Sequence, residues 1–309
     1  MLGSFLTVGE QVFILFILIA VGYICGKIKL LNENAVKAIT DLVLYIVCPC
    51  VIIKAFSEQK FDKGSLASLG ITALMAVFVY AVTVLISNLL IHNKDIAKQR
   101  VLRFGAIFSN CGFMALPLQG AILGDVGLFY GAVFVAVFNL TVWSYGLVVM
   151  SGDKSLLSPK KVITNPGIIG VIIGLLIYIL SVKMPGAVIK PVEYFASLNT
   201  PVPMLVIGYH LSQTKLIEAL KEKSMYLAVV IRLLISPVIL MLFMYALHID
   251  KNIMISCMIA AATPVAAITT MFSVKYNQDT KLSVSFVSVS TLISLITMPI
   301  LVGITQYIA

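Results

Sequence analysis

Apolar stretches of about 20 residues alternate with short polar ones along the whole chain. This pattern predicts membrane-spanning helices near 6–26, 34–56, 65–91, 101–123, 126–150, 166–182, 193–212, 224–247, 252–274 and 282–306. The sixth and seventh are the hardest to bound, because Pro185, Pro191, Pro201 and Pro203 interrupt any simple helical pattern there. No basic residue precedes the first apolar run and no small-residue cleavage site follows it cleanly. It therefore reads as a retained helix rather than a removed leader.

Composition agrees with a bilayer environment. Of the 309 residues, 60% are hydrophobic and 11% charged, where a soluble domain carries about 25% charged residues. Short loops leave no room for a sizeable extramembrane domain. The net charge of +9 comes from Lys and Arg scattered over nearly every loop, not gathered into a stripe with interleaved aromatics, so nucleic acid is not an expected partner. Loops after odd-numbered spans hold 15 of these residues (Lys27 and Lys37 through Lys275 and Lys281), and loops after even-numbered spans hold 6. That bias puts the odd loops in the cytoplasm and both termini outside, in a multi-pass protein of the plasma membrane. Cys25, Cys48, Cys50, Cys111 and Cys257 all lie in apolar segments with no disulfide-framework spacing.

Ten spans divide into two sets of five, residues 1–154 and 155–309, and an odd number per half forces the second half through the membrane upside down. The expected fold class is thus an all-α membrane protein built as a five-plus-five inverted repeat, an architecture of secondary carriers. An offset of 154 relates Pro49 to Pro203 and Asp125 to Asp279. The fourth and ninth spans match in kind. Ser109, Asn110, Gly112 and Pro117 interrupt one, and Ala262, Thr263 and Pro264 interrupt the other. Proline removes a backbone donor and clashes with the preceding turn, so both helices are expected to break in mid-membrane. Two broken helices crossing there would aim half-helix N-termini, with their partial positive charge, at one point suited to an anion.

Several segments resemble the auxin efflux carrier family, which includes plant auxin exporters and bacterial malate- or malonate-type permeases. They are Tyr45 to Phe56 around Pro49, Ser109 to Leu118, Asn165-Pro166-Gly167, Arg232 to Pro237, Ala262-Thr263-Pro264, and Ser290 to Pro299. The resemblance runs through most of the chain. It implies ten helices in an inverted repeat, a scaffold domain with an oligomer interface and so a homodimer, and a transport domain whose fourth and ninth helices cross at prolines. It also points to Asn110, Cys111, Pro117 and Pro264 at the crossover and to Asn139 in the fifth span. Lys54 stands where the auxin carriers place a basic residue near their site, but 65–91 holds neither Asp nor Glu to supply the acidic partner those carriers have in the third span.

Other readings compete for single residues. Arg232 lies inside the eighth span, either as an anion attractor or as a structural cation on freed carbonyls. Lys54 lies near a span end, where a long side chain can snorkel to the interface. Cys48-Pro49-Cys50 has the form of a metal-passing motif, but no loop is long enough for the phosphorylated domain of a metal pump. His92, His210 and His248 are too dispersed to suggest a shared metal site, and no cofactor is implied.

The expected function is secondary transport of a small organic anion, such as malate or an auxin-like acid, by alternating access. Asn110 donates to the carboxylate, Asn139 and Thr263 complete the polar lining, and Lys54 or Arg232 biases the cavity positive. Export needs no coupling ion, since a monoanion leaving an inside-negative cell gains about 2.3 kcal/mol per 100 mV. No membrane-embedded carboxylate is read that would bind a coupling proton or sodium. A ligand sensor on a transporter scaffold would show the same site, and an ion-coupled cation or metal transporter is the lesser alternative. An intramembrane enzyme would need a paired-Asp, His-Glu-x-x-His or Ser-His site at depth, and the spans offer only scattered Ser.

Overall fold

The computed structural model describes residues 2–59, 63–157, 164 and 166–309, and all regular structure among them is helical. Asn165 lies outside the described residues. The main helices are α1 (Leu2–Lys27), α2 (Glu33–Ser57), α3 (Lys63–Leu90), α4 (Ile96–Ile107), α5 (111–123) and α6 (125–151). The remainder are α7 (Pro166–Ile179), α8 (Gly186–Ser197), α9 (Pro201–Gln213), α10 (Lys223–Ala246), α11 (Lys251–Ala262), α12 (Ile268–Lys275) and α13 (Thr280–Ile308). Among the described residues, five helical stretches are long and apolar enough to cross a membrane: Glu33–Ser57, Leu66–Leu90, Cys111–Ser151, Lys223–Ala246 and Thr280–Ile308.

Local chemistry explains where these helices start and bend. Side-chain oxygens cap the starts of α2 (Asn32 to the Ala35 N–H), α4 (Asp95), α11 (Asp250) and α13 (Asp279), each satisfying orphan amides of the first turn. Three wide π turns, 43–47, 111–115 and 231–235, each end two residues before a proline, Pro49, Pro117 and Pro237. The extra residue in the turn absorbs the missing N–H and the ring clash, so these helices bend without ending. Gly124, at φ 62°, forms the turn that separates α5 from α6.

Boundaries differ from the sequence expectation in two places. The fourth interrupted span begins at Ile96 instead of 101, because Asp95 caps a helix start that charged residues disguise as loop. The seventh is two helices, α8 and α9, meeting at 198–200 ahead of Pro201 and Pro203, and its polar first turns lie outside the apolar window. Pro299, by contrast, is carried inside the continuous α13.

Two helix pairs pack backbone to backbone. A Cβ on Gly22 of α1 would strike the Leu205 backbone of α9, and one on Gly208 would strike the Ile19 carbonyl. Likewise Gly170 and Gly174 of α7 fit against Pro49 and Phe56 of α2. Small residues four apart allow this approach, which supplies dispersion contact where lipid offers no hydrophobic driving force.

Candidate functional site

Residues 108–110, between α4 and α5, and 263–267, between α11 and α12, are extended or irregular and run antiparallel past each other. The Asn110 N–H donates to the Pro264 carbonyl at 2.8 Å, and the Ala266 N–H donates to the Phe108 carbonyl at 3.0 Å, around the bridge Ser109–Val265. The Val265 N–H donates to the Ser290 hydroxyl of α13 at 3.2 Å. Exchange of backbone bonds between the two breaks satisfies groups that neither helix could satisfy alone at membrane depth.

Each break presents a helix C-terminus and a helix N-terminus, and the protein treats the two ends differently. The C-terminal carbonyls of α4 and α11 converge on one buried guanidinium. Arg232 donates to the carbonyls of Ile107 at 2.8 Å, Ala106 at 3.4 Å and Ala261 at 2.5 Å. A cation there matches the partial negative charge of two helix ends. The N-termini of α5 and α12 have no such partner. Neither Asn110 nor Ala267, which precede them, makes a side-chain capping bond, unlike the acids that cap α4, α11 and α13.

Both uncapped N-termini open into one cavity of about 250 Å³, lined by Asn110, Gly112 and Phe113 from α5 and its lead-in and by Ala266, Ala267 and Ile268 at α12. Asn139 and Phe138 of α6, and Asp41 and Cys48 of α2, also line it. A Cβ built on Gly112 would meet nothing within 4 Å, so that backbone faces open space. Asn110 is 5% exposed, and its carboxamide has no hydrogen-bond partner among the described residues. Asn139, which also lines the cavity, donates back to the Val135 carbonyl at 3.0 Å.

A second volume of about 490 Å³ adjoins the first and shares Asp41, Phe113, Ala267, Met271 and Lys275 with it. It leads past Glu33, Lys37 and His210 toward the ends of α2 and α12, on the face whose loops are rich in lysine. A third cavity, of about 410 Å³, lies on the other side of α5 and shares no lining residue with these two. Pro117, Lys54, Asp125, Glu193 and Asn199 line it.

The residues singled out from sequence therefore separate. Asn110 and Asn139 meet at the inner cavity. Pro117 and Lys54 belong to the opposite one, where Lys54 pairs with Glu58 at 3.2 Å. Thr263 is fully buried, donates to the Ala260 carbonyl at 2.9 Å, and lines none of these cavities. Its role is to close the last turn of α11. Pro264 serves through its carbonyl, and Cys111 is fully buried behind the cavity wall. Arg232 is committed to backbone carbonyls. Asp41 is a carboxylate inside the apolar span Glu33–Ser57 and lines the inner cavity, where the sequence reading expects no membrane-embedded carboxylate able to bind a coupling proton or sodium. A single acid within 34–56 is the signal that identifies it in the sequence.

A family of proteins described as "Membrane transport protein" matches residues 7–158 and 154–302. The chain belongs to this family, that of the auxin efflux carriers. Two archaeal relatives, each named only as an uncharacterized transporter, resemble this transporter along nearly its whole length. The protein of Methanocaldococcus jannaschii is 26% identical over 305 residues, covering 93% of this chain and 95% of its own. That of Methanothermobacter thermautotrophicus is 22% identical over 297 residues, covering 94% and 96%. Nothing in these relatives' names specifies a substrate, so the chemistry of the transporter's own cavity has to carry that question.

Proposed function

We propose that this transporter carries a small organic carboxylate across the membrane by alternating access, holding it at the inner cavity where α5 and α12 begin. The observation that carries the reading is the unequal treatment of the two helix ends. Arg232 neutralises both C-termini, whereas both N-termini, each equivalent to about +0.5 charge, face a shared cavity uncapped. An anionic oxygen placed there gains two helix dipoles and the orphan first-turn amides of α5, while the free carboxamide of Asn110 supplies a further donor.

In this reading the ten spans form the five-plus-five inverted repeat, divided near 154–155. The fourth span is α4 with α5, and the ninth is α11 with α12. The antiparallel exchange between 108–110 and 264–266 supports that arrangement, because a two-fold axis in the membrane plane brings equivalent breaks together head to tail. The capping acids Asp95 and Asp250 open the two crossing spans at matching points and give independent support. The close-packed pairs α1 with α9 and α2 with α7 form the fixed scaffold, which also provides the homodimer contact, and the remaining helices move against it. The inner cavity faces the cytoplasm and the 410 Å³ cavity faces outward, with both termini outside the plasma membrane. Lys54 then draws anions to the outer mouth, and Leu15, Val51 and Leu116 form the closed barrier on that side.

The test is flux of isotopically labelled carboxylates into liposomes containing the purified protein. Saturable movement that Asn110→Ala weakens supports the carrier. Specific binding with no flux for any compound would replace it with a ligand sensor built on the same scaffold.

A further inference from the structure

The inner cavity contains a charge that a simple anion site does not explain. Asp41 lies eight residues beyond Glu33, about 12 Å along α2 at 1.5 Å per residue, and lines both inner volumes. Its chain neighbours Leu42 and Ile46 are exposed and apolar. A carboxylate at such depth is costly unless something pairs with it. Among the described residues nothing does: no ion pair includes Asp41, although Lys37 stands one turn before it and Lys275 lines the same two volumes. Lys275 is engaged elsewhere, over the Tyr276 ring at 5.7 Å and in the last turn of α12, where a cation suits the helix end.

The cavity thus offers donors at one place and a carboxylate outside any ion pair at another. The donors are the two helix N-termini and the Asn110 carboxamide, itself nineteen-twentieths buried and without a partner. Phe113, Phe138 and Trp143 give the same cavity an apolar, aromatic wall. A volume of about 250 Å³ falls below the ~300–1,000 Å³ of drug-sized sites and suits a small molecule. Among the described residues no group of three His, Cys, Asp or Glu surrounds Asp41 as a metal ion would need.

We infer that the substrate is a zwitterion of the α-amino-acid class with an apolar side chain, its carboxylate at the helix N-termini beside Asn110 and its ammonium group on Asp41. This inference rests on the proposed carboxylate site and narrows it. A net-neutral cargo also needs no counter-charge: it moves down its own concentration gradient and produces no current under an imposed potential.

The experiment uses the full chain in proteoliposomes and a panel of apolar α-amino acids, each paired with the carboxylic acid that lacks its amino group. In the wild type the amino acid of a pair is expected to bind about 10- to 100-fold more tightly, the range for one charge-assisted bond. Asp41→Asn should abolish that preference, chiefly by weakening the amino acid of each pair, and Asp41→Glu should keep it. Equal handling of each pair by the wild type, or a preference for the des-amino acids, would overturn the zwitterion while leaving the carboxylate carrier standing. Loss of both members in Asp41→Asn, with Asp41→Glu active, would overturn it in favour of a coupling-ion role for Asp41. If no carboxylate of either kind moves in the wild type, the carrier reading fails and this inference with it.

Discussion

The backbone amide of Asn110 donates to the carbonyl of Pro264 across 2.8 Å, joining two helix breaks that lie more than 150 residues apart in sequence. Such a bond fixes the relative position of the helix ends on either side of it. It therefore couples the cavity that receives the N-termini of α5 and α12 to the buried guanidinium that receives the C-termini of α4 and α11. Perturbing either face of the crossover should give a different signature.

Gly112 faces open cavity. Gly112→Val adds a side chain that meets no protein atom at its Cβ and replaces the residue with the poorest backbone entropy in a helix first turn. The thermal midpoint should hold within a few degrees, as expected for a change under about 1 kcal/mol, while carboxylate flux falls at least ~10-fold through occlusion. Thermal unfolding in detergent alongside flux checks this. A large loss of stability would show that the space over Gly112 is not a cavity.

Arg232 behaves oppositely. Arg232→Ala strands the carbonyls of Ile107 and Ala261 without donors, and each buried acceptor left unsatisfied costs about 1–3 kcal/mol. Arg232→Lys should recover only part of this, because one ammonium cannot reproduce the planar fork that spans both helix ends. Unfolding midpoints of the two variants test the order. If Arg232→Ala unfolds like wild type, the guanidinium does not hold the crossover together.

The sequence makes the breaks themselves legible, since Ser109-Asn110 and Pro117 in one span and Thr263-Pro264 in another stand out against apolar surroundings. It does not make the duty of Arg232 legible, because its acceptors sit 125 and 29 residues away and are backbone atoms that every residue possesses. Lys54 illustrates a second limit. It shares α2 with Asp41, yet 13 rises of a helix separate them by about 20 Å, so the two line opposite cavities. Thr263 looked like lining because it is polar at depth, but a threonine hydroxyl in a helix's last turn has a carbonyl within reach on its own chain.

Glu58, just beyond the end of α2, has its carboxyl pushed up, first by burial and then by Asp125 beside it, with Lys54 at 3.2 Å acting in the opposite sense. A carboxyl raised in the folded protein holds its proton more tightly there than in the unfolded chain. Its stabilising contribution is therefore complete at low pH and is lost as pH rises from the ordinary carboxylate range, near ~4.3, through the raised value. Between about pH 4.3 and neutrality, Glu58→Gln should show a flatter dependence of thermal midpoint on pH than the wild type. Superimposable pH profiles would remove Glu58 from the balance.

Everything proposed for this transporter depends on the cavity between the α5 and α12 N-termini holding the substrate carboxylate. The most direct test is the apparent KM for carboxylate flux into proteoliposomes, compared between wild type and Asn110→Ala. The expected increase is about 10-fold or more, the worth of one charge-assisted hydrogen bond, with protein yield and thermal midpoint unchanged. An Asn110→Ala variant that transports with wild-type KM and rate would contradict it.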